Sequence, residues 1–330
     1  MDNTETKKDS LKKISKYLKK SFSFICTTSF EERCLSIAKN LSVDAMNNSY
    51  IMCGTTKEAE DLRIKHLEDL RRILDNKSKE ISFSMRNSVS IVEAVVKIVR
   101  DLVNNREKNI LVDISTFTHE MLLILMKAFY EKKGCFDSIF FVYNGARQYS
   151  VGDSPDAIWL SKGCKDIRNV YGYPGSPRIT QKNHLIVLSG FEIERATKMI
   201  EEISPDYLTL GNGCEPTEDE HNEAMNYFKG KLEEWRKTFS AVQTDSFDFS
   251  CRDVYKTANC IREIIKKSGD RNYILVPLNT KLSTISVGLV ALTNPSIQVH
   301  YSIPALYNYY AYSEPSNNFS MVDMLGLMEN

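Results

Sequence analysis

Residues 110–129 read ILVDISTFTHEMLLILMKAF: a short apolar run, a break of Asp, Ser and Thr, and an apolar stretch long enough for a helix. Residues 274–292 read ILVPLNTKLSTISVGLVAL, the same plan about 160 residues later, a spacing that fits a duplicated domain and not a solenoid. In each copy the apolar run implies a buried strand, and the hydroxyl-rich break falls where the next helix begins. That end of a parallel sheet is where phosphates and nucleotides tend to bind, because the unpaired N–H groups of the helix start point there.

Outward from these stretches, strands and helices alternate. The first half reads as a strand at 22–26, the break Thr27-Thr28-Ser29, a helix from Phe30, and a strand at 50–53. A charged helix over 57–76, a strand at 80–85, a helix over 88–104, a strand at 109–114, a helix over 115–131 and a strand at 138–143 follow. The second half repeats this order, with strands at 185–188, 207–210, 241–244, 272–276 and 297–301. Its opening GFEIER (190–195) parallels SFEER (29–33). Such alternation calls for a parallel sheet covered on both faces. Right-handed crossovers with a switch between strands one and four give the order 3-2-1-4-5.

The expected fold is therefore α/β: two tandem Rossmann-like domains, residues 21–150 and 184–313, related by internal duplication. Each is a five-stranded parallel sheet with helices on both faces. A lysine-rich N-terminal arm (1–20), read as a solvated helix, a Gly- and Pro-rich linker (151–183) and a C-terminal tail (314–330) complete the division. In the tail, Phe319, Met321, Met324, Leu325 and Met328 read as a turn or two of amphipathic helix.

Composition narrows the class. Apolar residues make up 42% and charged residues 26%, which is globular, and 43 Lys and Arg balance 43 Asp and Glu. Nothing global draws the chain to nucleic acid or a membrane surface. Its apolar runs are too short to cross a bilayer and no secretory h-region follows the lysines, so a cytoplasmic protein is expected. Eight scattered cysteines show no CxxC and no zinc spacing, and read as reduced core residues. GxGxxG, GxxxxGK[ST], HExxH and GxSxG are absent, so no cofactor or metal is implied and no catalytic residue can be assigned.

The candidate ligand-binding residues lie at the breaks after strands one and four. In the first half they are Thr27, Thr28 and Ser29, with Asp113, Ser115, Thr116 and Thr118; in the second, Ser189 and Gly190, with Asn279, Thr280, Lys281, Ser283 and Thr284. Helix-start N–H groups with hydroxyls and a lysine beside them suit a phosphate or a ribose, although plain N-capping explains any single break. Asp113 has Pro277 as its counterpart, and Lys281 occurs only in the second half. Glu31 and Glu192, at the start of the first helix of each half, complement the helix dipole or else recognise a ribose or base. His119 reads as a surface histidine before a general acid or base. Tyr143, Tyr149, Tyr301, Tyr307, Tyr309, Tyr310 and Tyr312 either stack on bases or pack against the sheets.

At the strand-four breaks, VDISTFTHE and VPLNTKLSTISVGLVAL, the chain resembles the nucleotide-sensing Rossmann-like domains of prokaryotic immunity: the CRISPR-associated Rossmann fold (CARF) group and its fused two-copy relative, the SAVED domain. Members often carry a strand, a TGGTK-type turn and an apolar helix. Asn279-Thr280-Lys281 stands where GTK would be, with Thr116 and Thr118 at the equivalent turn, and neither glycine is present. The resemblance implies a nucleotide or a short, cyclic or linear oligonucleotide bound between the halves, a role in antiviral defence signalling and a separate effector protein. A homo-oligomer is compatible with it. Three classes stay open: a nucleotide-binding sensor or regulator, a nucleotide- or nucleoside-processing enzyme (transferase, hydrolase or glycosidase) using Asp113 or Glu31, and a scaffold with vestigial pockets.

Overall fold

The structure, a computed structural model, describes residues 5–18, 21–75, 78–149, 159–239, 242–309 and 313–329. Lys19 and Lys20 of the expected arm, residues 151–158 of the expected linker, and Tyr310 and Tyr312 lie outside them. The chain divides into two compact units, one of residues 1–148 with 313–330 and the other of residues 149–312.

In chain order the first unit opens with β1 (Lys7–Ser10), β2 (Phe22–Thr27), β3 (Met46–Thr55), α1 (Glu60–Ile73) and β4 (Lys79–Ser84). It goes on through α2 (Ser88–Asn104), β5 (Asn109–Asp113), α3 (His119–Glu131), β6 (Ser138–Tyr143) and β7 (Ala146–Tyr149), whose last residue, Tyr149, falls in the second unit. The second unit carries β8 (Ser161–Pro174), β9 (Asn183–Ser189), α4 (Ile193–Ile203), β10 (Tyr207–Cys214) and α5 (Asn222–Arg236). β11 (Gln243–Ser250), α6 (Val254–Ser268), β12 (Asn272–Pro277), α7 (Lys281–Thr293) and β13 (Gln298–Tyr307) follow. The chain then returns to the first unit as β14 (Ser313–Pro315), β15 (Asn318–Asp323) and α8 (Met324–Glu329).

The expected strand order is present twice. The first sheet runs β1-β15-β6-β5-β2-β3-β4 and the second β11-β10-β9-β12-β13-β8, so each contains the parallel series 3-2-1-4-5. The central strands are buried along their whole length, as in β2 and β12, which is why they read as unbroken apolar runs. One core holds Phe22, Phe24, Cys26, Ile51, Leu70 and Leu111, and the other Leu185, Val187, Met199, Leu210, Leu232 and Val276. The helix after strand four is buried nearly all round in both units: 282–292 of α7 are all buried.

Four expectations are corrected. The C-terminal tail has its expected short helix only at α8, which buries Met324 and Met328; Phe319 and Met321 lie instead on β15, antiparallel to β6, and enter the first core at strand spacing, two apart and not four. The lysine-rich arm is no solvated helix: β1 pairs with β15, and a 3-10 helix at Leu11–Tyr17 buries Leu11 and Ile14. Lysines on such an edge strand keep it from pairing with other chains. Within the linker, residues 161–174 form β8, an edge strand antiparallel to β13, whose Gly172 takes positive φ where the pairing with Gln298 and His300 is irregular. The helix expected from Phe30 is instead three 3-10 turns, Glu32–Leu35, Ala38–Asn40 and Val43–Ala45. Asn40 competes for a backbone partner here, donating to Ser36 O at 2.9 Å, and Ser36, Ser42 and Asp44 are weak helix formers beside it.

Candidate functional site

The strand order reverses between β2 and β5 in the first unit and between β9 and β12 in the second, so the C-terminal rims of these pairs carry the expected breaks. In the first unit most of the hydroxyls are used internally. Thr27 Oγ1 donates to Met52 O at 2.8 Å, and the Thr28 N–H to the same carbonyl at 3.0 Å. Ser29 Oγ accepts from Glu31 N at 3.2 Å, while its carbonyl lies 2.8 Å from Nδ1 of buried His66. Thr118 caps α3 through Met121 N at 3.1 Å, and Thr116 beside it is half-buried.

Glu31 and Glu192 both pair with buried arginines, and only Glu192 stands at an α-helix start. Glu31 Oε2 sits 2.5 Å from Arg33 Nη2 and accepts from Ser313 Oγ at 2.7 Å, with both charged side chains buried. Arg33 reaches on to Asn144 O at 3.1 Å, over the Tyr143 ring. In the second unit Glu192 pairs with buried Arg195, which donates to Ser302 O and lies over the Tyr301 ring. The two units thus repeat one device: an arginine behind strand one, neutralised by a nearby glutamate, holds the carbonyl after a tyrosine of strand five. Sequence reasoning named the glutamates and missed the arginines, although SFEER and GFEIER carry both.

Asp113 ends β5 with 2% exposure. Its Oδ1 accepts from Ser115 N at 2.9 Å and Ser115 Oγ at 2.5 Å, and Oδ2 has no hydrogen-bond partner. Burial pushes this carboxyl up to about 7, against the opposing pull of the Ser115 hydrogen bonds and the Arg33 charge. Ser115 Oγ in turn accepts from Asn144 N at 2.9 Å, and Asn144 Nδ2 donates to Ser316 O and Asn318 O. The returning C-terminal segment therefore packs over the strand-five exit. His119, expected on the surface, is buried at the first position of α3, and Glu120 beside it accepts from Ser88 Oγ at 2.9 Å.

The rim of the second unit is built differently. Asn279 Nδ2 donates to Ser189 O at 2.6 Å, and its Oδ1 accepts from Thr280 N at 2.8 Å and Cys251 Sγ at 3.1 Å. Thr280 caps α7 by accepting from Ser283 N at 3.2 Å and donates to Cys251 O at 3.0 Å. Ser283 and Thr284 bond back to Thr280 O, and Lys281 is the first residue of the helix. Burial pushes the Cys251 thiol up, which suits a hydrogen-bonded structural thiol and not a nucleophile. Ser189, 6% exposed, keeps a buried hydroxyl with no partner. One rim thus gathers Ser189, Cys251, Asn279 and the capped N-terminus of α7.

Gly190 makes this closeness feasible. A Cβ there would lie 2.5 Å from Leu278 O, a backbone atom that cannot swing aside, so Gly190 has a packing reason as well as a ligand-binding one. Gly190→Ala is expected to displace 278–279 and strain the Leu278 N to Leu188 O bond of 3.0 Å. It should destabilise the protein by about 1–3 kcal/mol, read by urea unfolding; an unchanged midpoint would mean that the two segments do not pack this tightly.

Among the described residues no group of three or more His, Cys, Asp or Glu is placed to hold a metal ion, and no helix is long and apolar enough to cross a membrane. An open groove of about 820 Å³ between β4 and α2, lined by Tyr50, Lys79, Ile81, Lys97 and Arg100 among others, shares no residue with either rim.

No protein-family model matches the chain, and no curated protein matches it. Among solved structures it is similar to the cytoplasmic domain of a prokaryotic cation chloride cotransporter, at 9% identity and a TM-score of 0.26 over 87% of this chain and 96% of that one. It is also similar to a leucoanthocyanidin reductase–NADPH complex from Vitis vinifera, at 12% identity and a TM-score of 0.26 over 83% of this chain and 88% of that one. Likenesses at this level carry no inference about ligand or activity.

Proposed function

We propose that the chain is a nucleotide-binding sensor or regulatory protein of the kind represented by CARF and SAVED domains in prokaryotic antiviral defence, with its ligand's phosphate held at the rim of the second unit. One observation carries the reading: at the switch in strand order, a Thr280-capped helix start bearing Lys281 is bonded through Asn279 to Ser189, whose buried hydroxyl is unpartnered. A buried hydroxyl without a partner costs stability unless something supplies one, and a helix N-terminus favours an anion. A sensor transmits binding to a separate effector, so no product forms.

A panel of mono-, di- and cyclic oligonucleotides tests this by thermal unfolding and product analysis. A true ligand at 100 times its Kd should stabilise the protein by about 2.7 kcal/mol with the nucleotide recovered unchanged. Lys281→Met should weaken binding on the order of ten-fold or more, the worth of a hydrogen bond to a charged group. No stabilisation by any nucleotide would overturn the proposal. A second reading, a nucleotide-processing enzyme, is favoured by the raised carboxyl of Asp113; turnover that Asp113→Asn abolishes would establish it instead.

A further inference from the structure

Next to the second rim stands a set of rings that the hydrophobic core does not absorb. Phe191 follows Gly190 and packs on Phe228 of α5 with centroids 4.6 Å apart; Tyr149 meets Phe191 edge-on at 5.5 Å and lies 5.0 Å from His221. All four are half-buried, and none belongs to the core built on Leu185, Val187, Met199 and Leu232. Phe228 lies one helical turn before Leu232, which does enter that core, so the face of α5 changes from packed interior to half-open aromatic wall as it nears the rim.

The wall and the rim are continuous. A Cβ on Gly213 would lie 2.9 Å from Asn279 Nδ2 and 3.3 Å from Met225 Cε, so Met225, on the same face of α5 as Phe228, and Asn279, which orders the α7 cap, both border Gly213. Gly190, between Ser189, whose hydroxyl has no partner, and Phe191, lies against Leu278 and Asn279.

We infer that the second unit reads a nucleobase as well as a phosphate: the base lies against the rings of Phe191, Phe228 and Tyr149, with the phosphate at the Thr280 end of α7. This rests on the phosphate site proposed above and names what the rest of that ligand must be. The ligand class is a nucleotide whose planar base contributes binding by stacking, and a sugar phosphate alone is a poor ligand. Half-open aromatic faces suit this because base stacking gains from desolvating both π surfaces without demanding a hydrogen-bond pattern.

Calorimetric titration of the full chain with adenosine 5′-monophosphate and with ribose 5-phosphate tests it. The nucleotide should bind about ten-fold or more tighter than the sugar phosphate, the usual worth of one stacked base. Phe228→Leu should remove most of that difference and leave ribose 5-phosphate binding unchanged, while Phe228→Trp should keep it. Tyr149→Leu gives a second reading if the α5 variant unfolds. Equal affinity for both probes, unmoved by any of these variants, would overturn the base site and leave the phosphate site standing. Failure of the wild-type chain to bind either probe would overturn both.

Discussion

Arg195→Ala is expected to cost about 3–5 kcal/mol of stability, the usual consequence of removing one partner of a buried ion pair. At about 2–4 °C per kcal/mol for a unit of this size, the unfolding midpoint of the second unit should fall by roughly 6–20 °C. The side chains of Arg195 and Glu192 are only 3% and 10% exposed, so the variant strands a buried carboxylate beside Ser161 Oγ, with no cation paired to it. It also orphans Ser302 O, the strand-five carbonyl the guanidinium held. Arg33→Ala should behave alike in the first unit, where Arg33 serves Glu31, Asn144 O and Ser313 together. Lysine should not rescue either site, because one ammonium cannot serve a carboxylate and a carbonyl in the planar geometry of arginine. Replacing both partners with apolar residues, as in Arg195→Met with Glu192→Leu, should recover much of the loss. Calorimetric unfolding decides it: a loss below about 1 kcal/mol, the range of an exposed pair, would show that these pairs do not hold strand five.

Asp113 carries the second large effect, and its sign is opposite to that of most carboxylates. Burial lifts its folded value to about 7 from an ordinary 3.8. Below about pH 4 the folded and unfolded chains both keep the proton, so this group makes no difference to stability. Between pH 4 and pH 7 the unfolded chain releases the proton while the folded chain holds it, so stability falls as pH rises. Above pH 7 both are ionised and the loss is complete, at about 4 kcal/mol for the rise from 3.8 to about 7. Asp113→Asn imitates the protonated form, keeping an acceptor for Ser115 at Oδ1. The variant should match wild type at pH 4, gain steadily on it and exceed it by about 4 kcal/mol at pH 8 in urea unfolding. A difference that does not change with pH would mean that the carboxyl is ionised in the folded protein at all these values.

The parallel strands were legible because strands buried on both faces, such as those ending at Asp113 and Pro277, leave uninterrupted apolar runs between helix-length segments. β1, β8 and β15 were not, because an antiparallel strand added outside the parallel series is selected by its neighbour. Phe319 and Met321 show a two-residue period, but only the free side of β6 makes a strand of it. The candidate residues divide similarly. Thr118 and Thr280 are caps by type and position, and local sequence suffices to find them. The environment of Asp113 depends on Asn144 and on carbonyls of Ser316 and Asn318, too far along the chain for any local pattern to record. Arg33 and Arg195 lie between these cases: the repeated Glu and Arg were visible, whereas the carbonyls they hold, on strands over a hundred residues away in the case of Ser302, were not.

Hydrogen–deuterium exchange of the full chain with and without saturating adenosine 5′-monophosphate tests most directly whether the second unit holds a nucleotide at its strand ends. Exchange is predicted to slow in peptides covering 189–195, 213–228 and 278–286, which hold the unpartnered Ser189 hydroxyl, the aromatic wall and the α7 start. Unchanged exchange in those three segments, or protection confined to other parts of the chain, would contradict it.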